Sequence, residues 1–209
     1  MLRADLQGAI ILNIHLLCKK LALIITGAII SAFGITLALC EGFGGATLAV
    51  LWQGVSNIFG ISIGTSSAAV ALIMILFAFI YDRRQIHIGT IIYQIFYSGF
   101  IELFSRLLNK SGNIYVSVFL MLCGIILFAL GTGMYSAADL GRGSYEAVTF
   151  ALAEKNNYQV KYVRIALDIS VVIIGVLLGG KFGLCTIITV ILSGPIIQLS
   201  KNQTEKFLL

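Results

Sequence analysis

Residues 21–39 read "LALIITGAIISAFGITLAL", with no charge between Lys20 and Glu41. About 20 apolar residues suffice for a helix to cross bilayer hydrocarbon, so this run predicts a membrane span. Similar runs follow at about 64–81, 86–103, 114–138, 162–180 and 182–200. Their apolar positions are continuous rather than alternating, which argues against the strands of a membrane barrel and leaves helices as the spanning solution. An earlier run, residues 8–18, is short and is interrupted by Asn13 and His15. It reads as an interfacial helix or as an extension of the first span, and it lacks the cleavage site of a signal peptide.

Two stretches between spans break the pattern. "GFGGAT", residues 42–47, leads into residues 45–59, and "ADLGRGS", residues 138–144, leads into residues 143–157. Each pairs a glycine cluster with a short helical run. The second run carries Glu146, Glu154 and Lys155. Its length of about 22 Å, at about 1.5 Å per residue, falls short of the roughly 30 Å of hydrocarbon. The expectation is a helix that enters the membrane region without crossing it, and by analogy the same for residues 45–59.

The pattern also repeats. A shift of 97 lays "IITGAIISAFG" over "MLCGIILFALG", so that Gly27 and Gly34 meet Gly124 and Gly131, Gly44 meets Gly141, and Thr47 meets Ser144. A shift of 96 lays "GTIIYQIFYSGFIEL" over "CTIITVILSGPIIQL". Three segments in one order at nearly one offset predict two structural repeats. The expected fold is therefore an all-α polytopic membrane protein of about six transmembrane helices in two inverted three-span repeats. Each repeat holds a short non-spanning helix after a glycine-rich break. The expected divisions are an N-terminal cytoplasmic or interfacial segment at 1–20, repeat 1 at 21–107, repeat 2 at 113–200 and a cytoplasmic tail at 201–209.

Charge sharpens this picture. Of 14 Lys and Arg residues, six spans with a cytoplasmic N-terminus leave only Arg106, Lys110 and Lys181 outside, as positive-inside sorting expects. Eight spans would place about ten inside and four outside, so the charged second short segment is what favours six. Three spans per repeat is an odd number, which is why the repeats are read as inverted. Both termini are then cytoplasmic, in a bacterial plasma (inner) membrane.

Composition excludes other classes. The chain is 59% hydrophobic and 11% charged, against about 25% charged in soluble domains. The net charge of +5 sits beside apolar runs, so its partner is the lipid bilayer rather than nucleic acid. The cysteines at 18, 40, 123 and 185 form no CxxC and read as small hydrophobes. No Walker loop, catalytic triad, dinucleotide fingerprint or metal cluster is recognisable, so no enzyme, cofactor or metal is expected.

The candidate site lies at the two glycine breaks. Discontinuous helices meeting near the midplane build the binding sites of inverted-repeat transporters. A helix start offers unpaired N–H groups and partial positive charge. Gly44, Gly45 and Thr47 in the first break, with Asp139, Gly141, Arg142, Gly143, Ser144 and Glu146 in the second, are the substrate-binding candidates. Thr47 or Ser144 could cap its helix, and Arg142 would favour an anionic group. The alternative is loop and cap alone, with Arg142 a topology charge. Asp168, inside the fifth run, reads as a structural ion pair with Arg164 four residues earlier or as a proton or ion relay. Gln53, Asn57, Tyr93, Gln94 and Tyr97 could line a cavity or bond helix to helix.

The same residues resemble a known family. "ADLGRGSYEAV" and "GGKFGLCTIITVILSGPIIQL" are similar to the YczE/YyaS/YitT family of bacterial integral membrane proteins. Asp139, Leu140, Gly141 and Glu146 fit its acidic turn, and Gly183, Thr186, Gly194 and Pro195 fit its last span. In the first repeat Gly44, Gly54, Ser56, Gly60, Ser62, Gly64, Gly89 and Thr90 fit. Tyr145 departs from the family's tryptophan, and no proline follows the turn; Asn157, Gln159 and Lys161 replace glycine, serine and glycine. The resemblance implies a multi-pass plasma-membrane protein and little about mechanism. Two functions fit the sequence. One is a small secondary transporter or permease for a small solute, an anion being the class that Arg142 and the helix starts would suit. The other is a non-transporting subunit that captures substrate or regulates a membrane partner. A homo-oligomer is compatible with either.

Overall fold

The computed structural model describes the backbone of residues 2–208 and the side chains of residues 16–207. All regular structure among the described residues is helical: α1 (Leu2–Cys40), α2 (Thr47–Phe59), α3 (Ile63–Asp82), α4 (Ile88–Leu107), α5 (Ile114–Ala137), α6 (Ser144–Asn156), α7 (Val160–Leu177) and α8 (Leu184–Leu208), with one 3₁₀ turn at Arg83–Gln85. The N-terminal run is continuous with the first span in a single helix of 39 residues. Polar residues start several helices as side-chain caps do. Ser62 accepts from the Thr65 amide at the start of α3, and Asn113 from the Tyr115 amide at the start of α5.

Five helical stretches are long and apolar enough to cross a membrane: Leu16–Cys40, Ile63–Gln85, Ile88–Leu107, Ile114–Ala137 and Leu184–Phe207. Apolar side chains such as Phe79, Ile80, Phe119, Ile173 and Ile191 stand exposed along them and along α7. Such a surface is untenable in water and fits a lipid environment. The chain is an integral membrane protein. The fifth expected span, α7, falls outside this set because Lys161, Arg164 and Asp168 all lie in its 18 residues.

Contacts sort the turns into two ends of the bundle. At one end the Ser111 amide donates to Glu41 Oε2 at 3.2 Å, the Cys185 amide to the Phe43 carbonyl at 3.0 Å, and Asn57 Nδ2 to the Gly179 carbonyl at 2.7 Å. At the other, the Gly89 amide donates to the Leu140 carbonyl at 3.0 Å, Gln85 Nε2 to Glu154 Oε2 at 2.9 Å, and Lys155 Nζ to the Tyr81 carbonyl at 3.1 Å. α7 therefore runs from one end to the other. α2 starts in the interior and finishes at the first end; α6 starts in the interior and finishes at the second.

The 97-residue spacing recurs in the backbone. Left-handed residues pair across it: Gly42 with Asp139, Gly44 with Gly141, and Gly60 with Asn157. Gly60 and Asn157 close α2 and α6 respectively, in the conformation that ends many helices. Contacts are also exchanged. A Cβ on Gly124 would lie 2.6 Å from the Gly34 carbonyl oxygen, and one on Gly131 would lie 2.6 Å from that of Gly27. These glycines let α1 and α5 approach closely, as small residues do between membrane helices. α1 also packs on α4 and α5 on α8, while α2 packs on α7 and α6 on α3. The largest unmatched relation is that α3 packs along α4, whereas α7 and α8 stand apart.

Candidate functional site

The glycine breaks bring the starts of α2 and α6 to one cavity of about 410 Å³. Gly44 and Gly141, at φ of +93° and +129°, turn the chain inward. Each is also tightly packed. A Cβ on Gly44 would meet the Gly183 amide nitrogen at 2.6 Å, and one on Gly141 would meet Thr90 Oγ1 at 2.6 Å. The breaks are thus clamped against the starts of α8 and α4. Gly45 packs on Leu39 and Ala49.

The hydroxyls expected to cap do not. The N-cap residues are Ala46 and Gly143, without side-chain caps, and Thr47 and Ser144 are the first helical residues. From there the side chains reach across to other helices. Thr47 Oγ1 donates to Asp168 Oδ1 at 2.7 Å, and Ser144 Oγ to Gln94 Oε1 at 3.2 Å. The amides of Thr47, Leu48 and Ala49, and of Ser144, Tyr145 and Glu146, find no protein acceptor among the described residues. First-turn amides are left free by helix geometry, and here both sets belong to residues that line the cavity.

Two carboxylates are held at the cavity wall. Asp168 Oδ1 accepts from Thr47 and from Tyr145 Oη at 2.7 Å, joining α2, α6 and α7. Asp168 makes no ion pair with Arg164, which corrects the four-residue pairing. Hydroxyls from two other helices reach this carboxylate instead. Glu146 Oε2 accepts from Tyr135 Oη at 2.7 Å, and Tyr135 Oη accepts from the Gly143 amide at 2.6 Å. As an acid in the first turn of α6, Glu146 also sits where the helix dipole favours negative charge.

Aromatic rings form the floor. Tyr135 stacks on Tyr93 with centroids 3.8 Å apart, Tyr93 on Tyr97 at 5.2 Å, and Trp52 meets Tyr97 edge-on at 6.0 Å. Trp52 is only 4% exposed, and its Nε1 is buried without a hydrogen-bond partner. Burying a donor unpaired is costly, so this indole N–H is the least satisfied group on the wall.

Of the candidates named from sequence, Thr47, Gly143, Ser144, Glu146, Arg164 and Asp168 line the cavity, with Tyr93, Gln94 and Tyr97. Gly44, Gly45, Asp139, Gly141 and Arg142 do not. Asp139 is exposed in a left-handed turn. The Arg142 guanidinium lies over the Phe150 ring, 3.4 Å from its centroid, and reaches Glu154 at 3.8 Å. Gln53 and Asn57 tie α2 to the α7–α8 turn. Trp52, Tyr135 and Tyr145 were not among the candidates. The one tryptophan inside a glycine-led segment was the available signal for Trp52; Tyr135 lies within a span and carried none.

A second cavity of about 380 Å³ lies between α7 and α8, lined by Ile169, Val172, Ile173, Phe182, Ile187 and Ile191 among others. Thr47, Ile165, Asp168 and Val190 line both spaces.

The sequence matches, over residues 18–202, a family model described as a family of unknown function, DUF6198. It is 27% identical over 184 residues to the uncharacterised membrane protein YczE of Bacillus subtilis, covering 87% of this chain and 85% of that protein. An uncharacterised protein of Haemophilus influenzae is 26% identical over 184 residues, covering 88% and 84%. YyaS of Bacillus subtilis, also uncharacterised, is 23% identical over 190 residues, covering 88% and 92%. No solved structure matches. The membrane-spanning helices and the match over most of the chain agree: this protein belongs to the DUF6198 family, with YczE and YyaS among its relatives.

Proposed function

We propose that the protein is a small secondary transporter or permease for a small anionic solute, bound where α2 and α6 begin. One observation carries this reading: two helices running to opposite ends of the bundle start at a single cavity with their first-turn amides free. Such facing starts supply the partial positive charge that holds an anion. Lys161 and Arg164 at the wall add to it, while Asp168 and Glu146 are placed to exchange protons with the solute's passage. The protein moves its solute rather than transforming it.

The topology that goes with this function has six spans in two inverted repeats, α7 being one of them, with both termini cytoplasmic in a bacterial inner membrane. The exchanged contacts Gly27–Gly131 and Gly34–Gly124, and the paired bonds Gly89–Leu140 and Cys185–Phe43, are those that two halves related by a two-fold axis would make. Lys110 and Lys181 cluster with Glu41 at one end, and Arg83, Arg84, Lys155 and Lys161 at the other. α2 and α6 dip in and return on opposite faces.

Reconstitution tests the function. Proteoliposomes on a sensor membrane, challenged with a panel of small organic anions, should give currents or flux for at least one, and Asp168→Asn and Glu146→Gln should reduce them. Absence of flux for every anion, or normal transport by both variants, would overturn it.

A further inference from the structure

Beside the main cavity, between α7 and α8, lies the apolar groove of about 380 Å³, and Thr47, Ile165, Asp168 and Val190 line both spaces. The inner part offers donors in the six free first-turn amides, Lys161 and Arg164, and Trp52, whose buried Nε1 has no partner, lines it. The carboxylates there already accept from Thr47, Tyr145 and Tyr135. The outer part offers almost no polar group beyond the shared Thr47 and Asp168 and Thr186, and is walled by isoleucines and valines. A site with donors on one side and an adjoining apolar groove on the other matches one class of molecule.

We propose that the solute is an amphiphile, an alkanoate or similar anion, whose acidic head lies among Trp52 Nε1 and the α2 and α6 amides and whose apolar tail leaves through the gap between α7 and α8. This rests on the cavity being a solute site and names what the site selects. The head gains charge-assisted hydrogen bonds from groups that otherwise have none. The tail gains contact with Ile169 and Ile187, which are 55% and 48% exposed without it. The groove also removes a penalty that a closed transporter would face, because the tail need not be drawn out of the bilayer for its head to enter.

Trp52, the chain's one tryptophan, reports on the head directly. In protein held in lipid nanodiscs, Trp52 emission is titrated with n-alkanoates from butanoate to decanoate, and with the matching n-alkylamines. Affinity for alkanoates should rise about fourfold per methylene, the worth of a buried CH₂, and level off once the groove is filled. Ile169→Phe and Ile187→Phe, which enlarge apolar side chains facing the gap, should flatten that rise. Alkylamines should bind at least tenfold more weakly at each length. Affinity independent of chain length, or the same rise in both plugged variants, would overturn the tail path; equal response to amines would overturn the acidic head. In each of those cases butanoate still perturbs Trp52, and the cavity stands as a solute site. Failure of every alkanoate, butanoate included, to perturb Trp52 would overturn the amphiphile and the site together.

Discussion

The helix pair α3–α4 is closed and its counterpart α7–α8 is open, although a shift of 97 carries α3 onto α7. The side chains explain the difference. α3 presents Gly64, Ser67 and Ala71 toward its neighbours, all buried. Gly64 sits so close to α4 that a Cβ would lie 2.5 Å from that of Glu102, and Ser67 Oγ shares a hydrogen bond with Ser98 Oγ at 3.2 Å. The positions 97 residues on are Lys161, Arg164 and Asp168. Long charged side chains cannot be packed into a helix seam without losing solvation, so α7 is held off α8. The first half thus seals its helix pair, while the second carries charged groups at the matching positions. The same division holds in the short helices, where Ala49 in α2 stands opposite Glu146 in α6.

That contrast can be broken from the closed side. Gly64→Leu should force α3 from α4 and cost about 3 kcal/mol of stability, read as a lowered unfolding midpoint in detergent. Lys161→Leu at the matching place should change stability by no more than about 0.5 kcal/mol, since that side chain is exposed. Equal effects at the two positions would remove the distinction between the halves.

The glycine breaks should behave alike where the helix pairs do not. Gly44→Ala and Gly141→Ala each place a side chain in a left-handed conformation and against a clamped neighbour at 2.6 Å, with an expected cost of about 2 kcal/mol apiece. A large loss at one site and none at the other would contradict equivalent turns. Asp168→Asn keeps an acceptor for Thr47 and Tyr145 while removing the charge. Transport should fall by about tenfold or more while stability moves by less than about 1 kcal/mol. The smallest effect belongs to the helix ends. Asn157→Gly, which copies Gly60 into the second half, should shift stability by a few tenths of a kcal/mol at most.

Much of the frame was readable from apolar run lengths and glycine positions. The short helices begin at Thr47 and Ser144, within two residues of the breaks that predicted them, because glycine clusters interrupt an otherwise uniform apolar signal. The 97-residue spacing of glycines was readable in the sequence, whereas the Gly42–Asp139 and Gly60–Asn157 pairs share backbone conformation without sharing residue type, which no alignment of letters reveals. The site was less legible. Arg142 is the obvious charge in its turn, yet the Phe150 face and Glu154 lie nearer than the cavity. Asp168 has Arg164 at helical spacing, but hydroxyls from α2 and α6 reach it first, and such partners are set by tertiary packing alone. Trp52 and Tyr135 look like core aromatics and become notable only once one N–H is seen unpaired and one hydroxyl bridges Gly143 to Glu146.

The geometry that everything depends on is that α2 and α6 enter from opposing faces and return without crossing. Single cysteines at Asn109 and Asn157, both exposed in turns, in a background lacking the four native cysteines, can be labelled with an impermeant maleimide in sealed, oriented vesicles. Opposite sidedness is expected, with Asn109→Cys labelled from outside and Asn157→Cys only after permeabilisation. Labelling of both from the same face would mean that α6 crosses, and opposite labelling with the sides exchanged would mean that α2 crosses; either would contradict a site built from two facing helix starts.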